Sequence, residues 1–142
     1  MPVFVDTNVL VYAEDLAAGF KRDRARELIV GLWESREGVL SVQVLQEFFV
    51  TVTRKVAFPL SPAEALRIVD EYLAWKVVEN TGPLLVAAIE RVTADRMSFW
   101  DALIVEAALS SRCSVLFSED LQAGRRFGDL LVVDPFRSRA GT

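Results

Sequence analysis

No histidine occurs anywhere in the chain. Its absence removes Ser-His and Cys-His nucleophile pairs, imidazole acid–base chemistry and most zinc sites together. The single cysteine, Cys113, rules out an internal disulfide and a structural zinc site, and suits a reducing cytoplasm. Apolar runs all fall short of the ~20 residues that a membrane span needs. Met1 to Val5 lead straight into Asp6 with no basic stretch or cleavable apolar segment, so a cytoplasmic protein without membrane association is expected. Positive charge is also scarce, with 16 basic against 20 acidic residues and a net charge of −4. That argues against a nucleic-acid coat protein. It leaves a nuclease open, because a carboxylate cluster that holds cations is itself negative. Any enzyme built on this chain works with carboxylates, hydroxyls, Lys, Arg or a hard cation.

The 142 residues, 52% hydrophobic and 25% charged, suit one folded domain over residues 1–142, the last few forming a flexible tail. No repeat or low-complexity segment divides them. Pro2 to Val5 reads as a buried strand, Thr7 to Glu14 and Phe20 to Ser35 as helices, and Val39 to Ser41 as a second strand whose last residue caps a third helix. Along that helix Leu45, Phe48, Phe49, Val52 and Val56 recur at three- and four-residue spacing, an apolar stripe. Ser61-Pro-Ala-Glu64 is a capping box with proline at the first helical position, and Ala65, Leu66, Val69, Tyr72 and Leu73 are the expected inner face of its helix. Lys76 to Glu79 reads as an edge strand, Thr81-Gly-Pro as the start of a helix reaching about Asp95, and Phe99 to Ser110 as a buried helix. Ser114 to Phe117 and Leu130 to Val133 are further strands. Short apolar strands alternating with helices predict a parallel sheet covered on both faces, with ligands beyond the carboxyl ends of its strands.

At those ends the sequence places acids. Asp6 directly follows the first strand, and Asp120 follows Val115 to Phe117 after two residues. Asp101 stands in the first turn of the apolar helix, where losing hydration costs several kcal/mol unless the carboxylate is partnered. Glu47 lies opposite the Leu45–Phe48–Val52 stripe, beside Gln43 and Arg54. Singly, each has an ordinary explanation: a helix-dipole contact for Asp101, a turn for Asp6, a solvated face for Glu47. If the two acid-bearing helices begin at the same sheet edge, all four carboxylates meet. Carboxylates that close cannot all stay ionised. A hard divalent cation with oxygen ligands, magnesium or manganese, resolves the conflict and suits phosphodiester hydrolysis.

Val5-Asp6-Thr-Asn8-Val-Leu10, Ser41-Val-Gln-Val-Leu-Gln-Glu47-Phe-Phe49, Ser98-Phe-Trp-Asp101-Ala-Leu-Ile104, Leu116-Phe-Ser118-Glu-Asp120 and Val133-Asp-Pro-Phe136 come in the order and spacing of the PIN-domain ribonucleases. The chain resembles that family, and in particular the VapC toxins of toxin–antitoxin pairs. The resemblance implies an α/β fold, a three-layer α/β/α sandwich around a central parallel sheet. It also implies a Mg2+- or Mn2+-dependent endoribonuclease that leaves a 5′-phosphate and a 3′-hydroxyl. Carried over, Asp6, Glu47, Asp101 and Asp120 form the catalytic and metal-binding quartet, with Asp6 and Asp101 touching the metal and the other two directly or through water. Ser118 offers a hydroxyl to the metal's water shell or to phosphate, and Asn8 braces the Asp6 turn. Glu119 is expected to point away. Arg96, Arg125 and Arg126 are the expected RNA phosphate contacts, and Arg54 and Lys55 are further candidates. A homodimer and a small antitoxin partner are implied too.

Other readings fit less well. A receiver-type phosphoacceptor needs a late strand-end lysine, and none occurs after Glu79. A dehalogenase-like phosphatase needs a second Asp at position 8, where Asn8 stands. A catalytically silent PIN-fold module that binds RNA or protein is the main alternative, disfavoured by the intact quartet. Cleavage of duplex DNA is disfavoured by the short chain.

Overall fold

Each apolar segment takes the conformation of its period. In the computed structural model, which describes residues 1–137, the elements run β1 (Val3–Val5), α1 (Thr7–Glu14), α2 (Phe20–Ser35), β2 (Gly38–Ser41), α3 (Val42–Arg54), α4 (Pro62–Tyr72), β3 (Lys76–Val78), α5 (Gly82–Asp95), α6 (Phe99–Ser110), β4 (Val115–Phe117), β5 (Arg126–Phe127) and β6 (Leu130–Val133). The tail expected at the end of the chain falls outside the described residues. Side-chain caps fix most helix starts. Ser41 Oγ accepts from the Val44 amide, Ser61 and Glu64 form the reciprocal box, Thr81 caps α5 and Ser98 caps α6.

The sheet order is β3-β2-β1-β4-β6-β5. All neighbouring strands are parallel except β5, which pairs antiparallel with β6. The central sheet is therefore parallel as expected, with one short antiparallel strand added at its edge. The two-residue β5 was missed because it is too short to show any alternation. From β1 the chain steps outward through β2 to β3, then crosses back to β4. Right-handed crossovers then put α1–α4 on one face and α5–α6 on the other. This is an α/β sandwich of three layers. The core contains Phe4, Leu40 and Leu116 from the sheet, Val9 and Leu10 from α1, Phe48 from α3 and Val105 from α6. Each such side chain contributes about 1.5–3 kcal/mol on burial. Cys113 is buried as well, which pushes its thiol up to about 11 and makes it a packing residue rather than a nucleophile.

Two expected inner-face residues of α4 are on the surface. Ala65 and Tyr72 are buried, but Leu66 and Leu73 are exposed, as are Phe49 and Val50 of α3. The four share an apolar groove between the two helices. Spacing identified an apolar side on α4, but not how much of it α3 covers.

Gly38 carries a packing constraint. A Cβ there would stand 2.3 Å from the Trp75 ring, which is itself held edge-on by Trp33 and Tyr72. Gly38→Ala should lower stability by about 1–3 kcal/mol through overpacking, measurable by denaturant unfolding. Unchanged stability would mean that the ring moves freely.

Candidate active site

Backbone pairing builds the centre of the site. Val5 lies opposite Phe117 in the β1–β4 register, and the Asp6 amide donates to the Phe117 carbonyl at 2.9 Å. Asp6 and Ser118 therefore leave the sheet side by side. They do so where the strand order reverses, the crevice in which open parallel sheets collect ligands.

Asp6 caps α1, its Oδ1 accepting from the Thr7 amide at 2.7 Å, while its Oδ2 accepts from the Ser118 hydroxyl at 2.7 Å. The wholly buried Ser118 in turn accepts from the amides of Asp120 and Leu121, each at 3.2 Å. Asn8 Nδ2 donates to Asp120 Oδ2 at 3.1 Å, and Asn8 Oδ1 accepts from the Glu119 amide at 3.1 Å. A few side chains thus lock the turns after β1 and β4 together.

Glu47 enters from α3, which begins at the same edge because β2 ends there. Its Oε1 accepts from the Thr7 hydroxyl at 2.6 Å and its Oε2 from Gln43 Nε2 at 3.2 Å. Gln43 sits one helical turn before Glu47 on the same face, and its Nε2 also donates to the Trp100 carbonyl at 3.2 Å. That carbonyl lies beside Asp101, whose amide donates to the Ser98 cap at 3.1 Å. One polar chain therefore runs from Asp120 through Asp6 and Glu47 to the first turn of α6.

Burial pushes the Asp6 carboxyl up to about 6, the Ser118 and Thr7 hydrogen bonds oppose the shift, and the charges of Asp120 and Glu47 add to it. Asp120 and Glu47 are thus each within electrostatic reach of Asp6, and Gln43 ties Glu47 to the Trp100 carbonyl in the turn that carries Asp101. As oriented, no three acids among the described residues close around a single point.

Glu119 lies on Tyr12, whose hydroxyl donates to it at 2.6 Å, and on Lys21. Burial raises its carboxyl, but these two bonds outweigh that and hold it below the usual range. Arg125 stacks on Phe127 at 4.7 Å and donates to the Asp95 carbonyl at 3.0 Å, fastening β5 to the end of α5. Arg96 and Arg126 are exposed. Sequence reasoning missed Thr7 and Gln43 as site residues. The usable signals were a hydroxyl directly after the strand-end acid and an amide four residues before Glu47.

No curated protein matches the chain by sequence. Among solved structures, a toxin–antitoxin complex from Klebsiella pneumoniae is similar at TM-score 0.69 and 17% identity, covering 97% of this chain and 100% of that one. The DNA-bound VapBC of Salmonella typhimurium matches at TM-score 0.67 and 16% identity, covering 95% and 98%. A sarcin–ricin loop cleaving VapC toxin of Mycobacterium tuberculosis matches at TM-score 0.65 and 20% identity, covering 83% and 89%. At these identities the likeness is one of fold. The family model for the PIN domain matches residues 3–126, a span that includes all four acids, and the chain belongs to the PIN domain family.

Proposed function

We propose that this protein is a magnesium- or manganese-dependent endoribonuclease and the toxin of a toxin–antitoxin pair. The observation that carries the reading is Asp6: a carboxylate buried at the strand-order reversal, pushed up to about 6, with Asp120 and Glu47 adding their charge. Burying and crowding carboxylates costs stability that the Ser118 and Thr7 hydrogen bonds offset only in part and that a bound cation relieves. The all-oxygen donor set fits a hard divalent ion. Asp6 and Asp101 would hold it, with Asp120 and Glu47 direct or through water. Such an ion supplies charge stabilisation at phosphate and a more acidic water. Ser118 fixes the Asp6 rotamer, Asn8 holds Asp120, and Thr7 and Gln43 hold both oxygens of Glu47, so the acids face the substrate preorganised.

RNA as the substrate is supported by the similarity to an RNA-cleaving toxin. An antitoxin partner is supported by two neighbours that are toxin–antitoxin assemblies. A homodimer, for its part, would cover exposed apolar surface such as the Phe49–Leu66–Leu73 groove. Among the described residues no helix is long and apolar enough to cross a membrane; we place the activity in the cytoplasm, with its RNA. Chelation by EDTA should abolish cleavage of total RNA, and added Mg2+ or Mn2+ should restore it with 5′-phosphate ends. Cleavage that persists in EDTA sinks the metal assignment. RNA left uncut at every metal concentration would favour the silent binding module.

A further inference from the structure

Resting on the ribonuclease reading, we infer that Trp100 and the cavity beside Glu47 form a subsite for one unpaired nucleobase of the substrate. Helix α6 is buried along most of its length, yet Trp100 in its first turn is 61% exposed. An indole is a large apolar surface to leave in water, and this one directly precedes Asp101. Phe99 meets it edge-on, with ring centroids 4.9 Å apart and an interplanar angle of 74°.

Beside the indole is a cavity of about 390 Å³ lined by Gln43, Gln46, Glu47, Val50, Thr51, Lys55 and Trp100, a size suited to a small ligand. Its chemistry matches a nucleotide. A flat aromatic stacks with any base, Gln46 and Thr51 can meet a base edge, and Lys55 can pair with a phosphate. Gln43 in its wall is held from within: its Nε2 donates to Glu47 and to the Trp100 carbonyl, and its unpartnered Oε1 is closed off from solvent. Glu47 also belongs to the acid chain, so a base seated here stands next to the reacting phosphate. An open indole face beside polar donors and a cation fits a base better than an apolar peptide side chain.

The subsite is tested by binding of a short single-stranded oligoadenylate in EDTA at low ionic strength, where metal-dependent cleavage is off. Base stacking should quench indole emission. Trp100→Ala should weaken binding roughly 10-fold or more, and Trp100→Phe should restore most of it. An abasic oligomer of equal length should bind the wild type as weakly as oligoadenylate binds Trp100→Ala, and the substitution should cost it nothing further. The proposal is overturned if the wild type does not bind, if Trp100→Ala binds equally well, or if the abasic and Trp100→Ala losses add. Cleavage with Mg2+ is assayed separately. Binding as described with no cleavage under any metal sinks the ribonuclease reading and leaves the subsite standing; normal cleavage with unchanged Trp100→Ala binding does the reverse.

Discussion

Asp6→Asn should lower RNA cleavage by at least about 1,000-fold, since losing several kcal/mol of metal-assisted stabilisation corresponds to that factor. The same substitution should make the metal-free protein more stable. Asp6 has its carboxyl raised from 3.8 to about 6 in the fold. Between those values the folded state holds a proton that the unfolded chain has released, so stability falls as pH rises through this window. The penalty is absent below about pH 4 and complete above about pH 6, where it amounts to about 3 kcal/mol. Asparagine removes the charge and keeps an acceptor for the Thr7 amide, but it loses the acceptor for the Ser118 hydroxyl, which offsets about 1 kcal/mol. The variant should therefore melt several degrees above wild type at pH 7 in EDTA, with the gap closing towards pH 4. Subtracting the two melting curves cancels the other carboxylates, Glu119 among them. Mg2+ should raise the wild-type midpoint and leave the variant's unchanged. Equal stability across the pH range would remove the strained-carboxylate argument, and wild-type cleavage by the variant would remove Asp6 from the reaction.

Gln43→Leu should weaken Mn2+ affinity and cleavage by about 10- to 100-fold, the usual effect of removing a group that orients a ligand. Gln43 Nε2 bonds both Glu47 and the Trp100 carbonyl, and so sets the spacing between the α3 acid and the turn that carries Asp101. Leucine of similar volume abolishes both bonds. It also removes the unpartnered Oε1, so the fold should lose less than about 1 kcal/mol. A titration of Mn2+ by calorimetry beside a melting curve separates the two effects. Weakened affinity at near-constant midpoint supports the positioning role; unchanged affinity refutes it. Gln43→Glu should do more harm than Gln43→Leu, because it sets a buried carboxylate against Glu47.

Much of the protein was legible residue by residue. The bounds of α1 and α2, the Ser41 and Ser61 caps and the edge position of β3 agree with the structure, because periodicity and capping depend on neighbours a few residues away. The acids after β1 and β4 could be read for the same reason. Burial could not. Gln43 and Glu47 looked like one solvated face, yet Gln43 is 3% exposed because it packs against α6, 57 residues further on at Trp100. The Asp6–Ser118 bond spans 112 residues and exists only because β1 and β4 pair in one register. Leu66 and Leu73 looked internal, yet they face outward. The sequence by itself determined which elements form and which carry acid. Tertiary structure alone decided which acids share a field, which amide holds them and which apolar residues stay uncovered, because these depend on contacts between segments that no local pattern encodes.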